Sequence, residues 1–277
     1  MSGYRIRKGK DIAFIIAIAI LTFIGILPLF HIIITVFING LPVIAEKGFT
    51  FLTGTLSEGG IGPAITGTFI LIFLSSLIGL PVALLVGIYA YEYPDSLIGR
   101  ATKTLLQIIL EFPTILVGVF AMNIIAIPMG TYSAIAGAFA LAIILMPYVA
   151  VYTQEAMGQI PFTYREASFA LGLSRIKVIF KVLVPLSKRG ILTGILIGMA
   201  KVAGETAPLL FTTGGLYQSY PTSVTRPVGA VPLLIYTLVQ SPSKADHMIA
   251  WGASLTLLLV FFLIFIPVRV SLKEVRL

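Results

Sequence analysis

The 277-residue chain contains no cysteine, which excludes disulfides, thiolate metal sites and a cysteine nucleophile while leaving the compartment open. Histidine is nearly absent. His31 and His247 stand far apart and form no HExxH or other paired-ligand spacing, so no metal site is visible. A lone histidine inside an apolar run, as His31 is, reads as a packing residue before it reads as a ligand. Neither GxSxG nor the P-loop pattern GxxxxGK[ST] occurs. No nucleophile–base set is apparent, and any ATP spent on this chain's work must be hydrolysed by another subunit. Charge is scarce too: 11% of residues are charged against 58% hydrophobic, and Lys and Arg outnumber Asp and Glu by 19 to 11. A soluble domain of this length cannot hide so much apolar surface. The composition predicts an all-α polytopic membrane bundle.

Six apolar runs reach the ~20 residues that a spanning helix needs. They lie near Ile12–Ile38, Ile65–Tyr91, Leu105–Ile127, Ser133–Tyr152, Ile191–Thr213 and Met248–Val268. Each carries a proline: Pro28, Pro81, Pro113, Pro147, Pro208 and Pro267. Membrane helices tolerate proline because neighbouring groups satisfy the freed carbonyls. A β-barrel would show ~10-residue alternating segments, and the runs are unbroken. The expected organisation is a tail at 1–11, a transmembrane domain at 12–268 with a cytoplasmic loop at 153–190, and a tail at 269–277.

The basic residues give an orientation. Arg5, Arg7, Lys8 and Lys10 precede the first run. Arg100 and Lys103 lie between the second and third. Arg165, Arg175, Lys177, Lys181, Lys188 and Arg189 lie between the fourth and fifth, and Arg269, Lys273 and Arg276 follow the sixth. The opposite side holds only Lys47, Arg226 and Lys244. Both termini and the long basic connection are therefore expected in the cytoplasm, at a cell (inner or plasma) membrane. The excess of positive charge is then a topology signal and not a nucleic-acid footprint. The basic start and the Ala17-Ile18-Ala19 triplet resemble a signal peptide, but the apolar run continues to Val36, which favours an uncleaved first span.

The long cytoplasmic connection is patterned. Thr163 and Glu166 have capping-box spacing for a short helix. Ala167, Ala170 and Leu171 fall on one face, and Gly172 suits the left-handed residue that ends such a helix. A second helix is expected over Arg175 to Val184, before Pro185. An ordinary basic surface loop accounts for the charges, but not for a small apolar face stopped by glycine. A short helix lying in a partner's groove accounts for both.

The fifth run opens with Gly190, Gly194 and Gly198, a smooth stripe suited to close helix contact. Lys201 and Glu205 follow seven residues after Gly194 and Gly198, which points both into the bundle beside that stripe. They are i, i+4 and can pair. Pro208 leaves the Gly204 carbonyl without its helical donor, so a local break beside the charges is expected. Two readings stand: a structural buried ion pair, or a site where an anion meets Lys201 while Glu205 holds the lysine in the anion's absence. An anion that keeps a proton near neutral pH, as phosphate does with a second pKa of about 6–7, could donate to Glu205. Fully ionised sulfate could not. Glu111, before Phe112-Pro113-Thr114, reads as an interfacial residue or as part of a gate. The external stretch Gly214–His247, rich in Gly, Pro, Ser and Thr, and Asn39–Pro63 are the long outer loops.

Glu166-Ala167-Ser168, Gly172, then Val182, Val184 and Pro185 resemble the EAA loop of ABC-transporter permeases, with Ser for the second Ala and Val for Ile and Leu. The segment Ala203-Gly204-Glu205-Thr206-Ala207-Pro208-Leu209-Leu210-Phe211-Thr212 resembles the signature of the PstA family, permease subunits of phosphate ABC importers. Gly87-Ile88-Tyr89 with Glu92, Arg226-Pro227, Val231-Pro232, Ser241-Pro242 and Ala250-Trp251-Gly252-Ala253 agree with that family, over roughly residues 65 to 265. The resemblance implies that Arg165, Glu166, Ala167, Ser168, Ala170 and Gly172 dock on an ATPase, and that Lys201, Glu205 and Thr206 line the path of the ion. It also implies a PstC-like second permease, an ATP-binding cassette ATPase dimer that uses the ATP, and an extracytoplasmic phosphate-binding protein. No cofactor is expected on this chain itself. Lys201 stands where the family usually has an arginine, and Val151 stands where it tends to have another. The alternatives are a permease for sulfate, molybdate or tungstate, or an ion-coupled carrier, although the internal repeat that such carriers often show is not evident between the halves.

Overall fold

A computed structural model describes residues 2–271. Of the expected C-terminal tail, residues 272–277 lie outside the described residues. So do the side chains of Arg5, Lys8, Arg269, Lys273 and Arg276 from the charge count above. The regular structure of the described residues is helical, with one isolated bridge between Gly214 and Val228. In order, the helices are α1 Ser2–Lys47, α2 Phe49–Thr53, α3 Gly62–Glu92, α4 Leu97–Glu111, α5 Thr114–Ala121 and α6 Ile127–Met129. They continue with α7 Ala134–Gly158, α8 Phe162–Ala170, α9 Arg175–Val178, α10 Val184–Ala203, α11 Val231–Val239 and α12 Lys244–Ser271. Five helices are long and apolar enough to cross a membrane, or six if one bent pair counts as a span.

The centre of the bundle is α7, flanked by α3 and α10. Its alanines at 134, 136, 138, 140, 142 and 150 are all buried. Water cannot drive helices together within a bilayer, so close backbone approach through small side chains has to supply the packing. A second cluster joins α1, α2, α11 and α12 through Val43, Phe51, Leu234 and Ala253. A third, formed by Met157, Val178, Ile179 and Leu183, lies beneath the basic connection. The first half of α1 stands apart: Phe14, Leu21, Phe23 and Ile24 are all exposed, which suits lipid or a second membrane subunit.

Proline chemistry explains two departures from the expected runs. The third run, Leu105–Ile127, is not one straight helix. α4 and the stretch Thr114–Met129 meet at 100°. Pro113 has no N–H to donate and disfavours helical geometry at the residue before it. Phe112 accordingly has ψ 134, and α4 ends at Glu111. A π-helical turn at Met122–Ala126 then leads into α6. The fifth run, Ile191–Thr213, is helical only to Ala203, and Pro208 begins a 3₁₀ turn at Leu209–Phe211.

The stretch after Gly214 is stitched to the core. The Ala134 and Ile135 N–H groups at the start of α7 donate to the Arg226 and Val224 carbonyls at 3.2 and 3.1 Å. Ser133 accepts from the Ala136 N–H at 3.2 Å. The nine-residue α11 rises about 13 Å, under half of a hydrocarbon core, and packs on α12 and α3. The Thr68 hydroxyl accepts the Val231 N–H at its start, at 2.9 Å.

Candidate functional site: an ion pair and a basic loop

α10 is positioned by its glycines. A methyl group on Gly190 would collide with Ala156 of α7, and one on Gly194 with Tyr152; at Gly198 it would meet Val149 at 3.0 Å. The α7–α10 axis distance is set by this contact. The helix ends at Gly204, and Lys201 sits in its last turn. Lys201 Nζ lies 2.6 Å from Glu205 Oε1.

The two charges do not share one environment. The Glu205 side chain is 9% exposed, and that of Lys201 is 43% exposed. Both were expected to face inward beside the glycines. Helical arithmetic accounts for the difference. Four residues turn an α-helix by about 400°, so a stripe at i, i+4, i+8 drifts about 40° per step. By the level of Lys201 the packed side has moved on to Val202, which is buried. Lys201 is left at the rim of the contact, with its head free to point away. Glu205 lies past the helix end and turns inward, its N–H donating to the Val202 carbonyl at 3.2 Å. Thr206 is half-buried, and its carbonyl accepts from the Leu209 and Leu210 N–H groups at 3.1 and 3.3 Å.

An ammonium has three donors, and Glu205 takes one of them. The others are available on the open side, next to a carboxylate that no other cation neutralises among the described ion pairs. The free donors of the ammonium can take a hydrogen-bond acceptor on the open side, and the carboxylate oxygens can accept a proton donor.

At the other end of α3, about 45 Å along its axis from Gly62, lies the basic loop. α8 begins at Phe162, with Pro161 in the capping position and no side-chain cap. The expected capping role of Thr163 is therefore displaced: Pro161, with φ fixed at −56°, starts the helix before Thr163 is reached. Gly172 has φ +77°. Its N–H donates to Phe169 O at 2.9 Å, and the Leu173 N–H to Ser168 O at 3.2 Å. These two bonds are the Schellman closure of a helix C-terminus.

Glu166, Ala167, Ala170 and Leu171 are exposed, Leu171 at 83%, as are Phe162 and Phe169. Ser168 is buried and donates to the Tyr164 carbonyl at 2.6 Å. The second helix does not stop at Pro185. α9 passes through a π-helical turn at Ile179–Leu183 into α10, so Pro185 lies inside a continuous helix directly after that turn, and the helix absorbs the missing N–H there instead of ending.

Arg165 faces inward, unlike its neighbours. It pairs with Glu92 at the end of α3. Arg175 Nε meets the other oxygen of the same carboxylate at 3.0 Å. Glu92 stands at a span end in the sequence, and its partners, 73 and 83 residues away, are not legible there. The available signal was weak: an acid among Tyr89, Tyr91 and Tyr93, facing a loop rich in arginine. Among the described residues the structure brings together no cluster of His, Asp and Glu that could hold a metal. Glu111 is exposed and takes part in neither constellation.

Residues 79–276 match the family described as the binding-protein-dependent transport system inner membrane component. The chain is 65% identical over 269 residues to the probable phosphate transport system permease protein PstA of Methanocaldococcus jannaschii, covering 97% of this chain and 96% of that one. It is 34% identical over 267 residues to the phosphate transport system permease protein PstA of Yersinia pestis, covering 95% and 90%. Among solved structures, an ABC transporter that imports the acidic polysaccharide alginate matches 98% of this chain and 100% of its own, with TM-score 0.66 and 15% identity. The MetNI methionine ABC transporter in an inward-facing form matches 76% and 94%, with TM-score 0.59 and 20% identity. At those identities the structures speak for the fold alone. With nearly the full length matched at 65% identity, the chain belongs to the PstA family of ABC-transporter permeases, multi-pass membrane subunits whose ATP is hydrolysed on a separate chain.

Proposed function

We propose that the chain is the PstA-type half of an ATP-driven importer of inorganic phosphate, and that Lys201, Glu205 and Thr206 meet the ion on its way through the membrane. The observation that carries this reading is the Lys201–Glu205 pair at 2.6 Å, with the carboxylate buried and the ammonium on an open face. An ion pair in this depth of an apolar helix is costly unless it works. Lysine keeps the charge of the arginine usual in the family and gives up its two-pronged geometry, so the protonated oxygen that Glu205 can accept becomes the feature that separates phosphate from sulfate.

The open face of Lys201 supports a path at the border with a second permease, of PstC type. α8 and the turn at Gly172 form the surface for an ATP-binding cassette dimer, with Glu166, Ala167, Ala170 and Leu171 outward. An extracytoplasmic phosphate-binding protein delivers the ion from the side of the 214–247 segment. Lysine and arginine counts support cytoplasmic termini.

The test is uptake of labelled phosphate into proteoliposomes holding the two permeases, the ATPase and the binding protein, with ATP inside. Uptake that needs ATP and is inhibited by arsenate but not by excess sulfate or molybdate is the expected result. Transport of sulfate or molybdate in place of phosphate overturns the substrate and leaves the permease reading intact.

A further inference from the structure

Glu92 is the last residue of α3 and is 6% exposed, an expensive position for a carboxylate unless it is fully paired. It is paired from two directions. One oxygen takes Arg165 of α8. The other takes Arg175 Nε of α9 at 3.0 Å, and the Glu92 main-chain carbonyl takes Arg175 Nη2, also at 3.0 Å. Aromatic rings close both sides. The Arg165 guanidinium lies 5.5 Å from the Tyr91 ring centre and that of Arg175 lies 4.3 Å from Tyr93. Tyr93 in turn stacks on Tyr89 at 5.0 Å.

The two arginines stand on either side of the Gly172 turn, so one carboxylate staples both arms of the α8–α9 hairpin to α3. α8 has little else to hold it. Ser168 is its one buried residue, and it packs on α9 and the π-helical turn that follows. α3, by contrast, packs along α7, and α7 packs on α10, which carries Lys201.

We propose that Glu92 is a positioning residue for energy coupling. It makes α8 and the end of α3 one rigid body, so that a displacement of α8 by the ATPase reaches α3 and, through α7, the Lys201–Glu205 site. Without the staple, the α8–α9 hairpin keeps only its own connection through the π-helical turn to α10, its movement no longer carries α3 and α7 with it, and less phosphate is moved for each ATP spent. This rests on the reading of α8 as the ATPase docking helix.

The test uses the whole complex in proteoliposomes and measures phosphate moved per ATP hydrolysed, alongside retention of the ATPase on purification. Glu92→Gln keeps the shape and removes the charge. The expected result is a complex that still holds its ATPase and hydrolyses ATP near the parent rate, while phosphate moved per ATP falls at least about tenfold, a loss within the usual range of coupling energies. Glu92→Asp, which keeps the charge, restores a substantial part of the ratio. A staple that only held the fold together would lower both activities in proportion. An unchanged ratio in Glu92→Gln overturns the proposal. If that variant does not assemble, Arg175→Gln decides, because its side chain is 47% exposed and can be trimmed without opening the core: a normal ratio there overturns the proposal, and a lowered one supports it. Glu166→Lys separates the two levels. If it leaves the ATPase bound and uptake normal, the docking reading of α8 has failed, whatever Glu92 does.

Discussion

Gly118 of α5 lies against the backbone of Pro208, so closely that a methyl group on it would stand 2.5 Å from the Pro208 Cα. α5 thereby braces the non-helical segment that begins at Glu205. Gly118→Val is expected to force Pro208 away and cost about 1–3 kcal/mol of stability, as overpacking does. A thermal melt of the purified complex and uptake of labelled phosphate check this, and both should fall. Wild-type behaviour in both would show that the segment is not held from this side.

Gly172 offers a clean test of backbone conformation. No atom lies within 4 Å of the position that a Cβ would take, and φ is +77°. Gly172→Ala therefore acts through φ alone and should cost about 1–2 kcal/mol in the α8 terminus. Gly172→Asn should cost less, since Asn tolerates the left-handed region. The measurement is the fraction of ATPase retained by each variant, in the expected order Gly, Asn, Ala.

Gly194→Leu should separate α10 from Tyr152 of α7 and lower the melting temperature of the permease. Gly25→Leu is the matching control. It lies in the exposed half of α1 with nothing within 4 Å, and should leave the melt unchanged. Equal effects from the two would contradict a packed α7–α10 seam.

Lys201→Arg should keep uptake, because the charge stays and the guanidinium can still reach a carboxylate two residues beyond the helix end. Lys201→Met, similar in length but neutral, should lower uptake at least about tenfold, the scale of losing a hydrogen bond to a charged group. Equal uptake in the two variants would remove Lys201 from the path.

The helical, membrane-spanning class could be read from six apolar runs, because hydropathy over twenty residues depends on no distant contact. The glycine stripe and the end of α8 at Gly172 were also legible, since close helix approach and left-handed geometry are properties of glycine itself. The bend at Pro113 was not drawn from the third run, because proline in a membrane helix can kink it or break it according to its neighbours. Lys201 was expected to face inward with Gly194, but the i, i+4 seam rotates away from it before its turn is reached. The pairing of Glu92 with Arg165 and Arg175 was invisible for a different reason. It joins residues more than seventy positions apart, and nothing local at Glu92 names its partners.

Glu205→Gln tests the central claim most directly. The amide is the same size as the carboxylate and can still hydrogen-bond to Lys201, so folding, assembly and ATPase retention should be unchanged. Its neutral oxygen is a weaker acceptor for the anion's O–H than a carboxylate is, and it cannot hold the lysine by charge. The expected result in the reconstituted complex is ATP-dependent phosphate uptake reduced at least about tenfold, the scale of a lost buried charge pair. Uptake at the parent rate in that variant would contradict the assignment of this pair to the path of the ion.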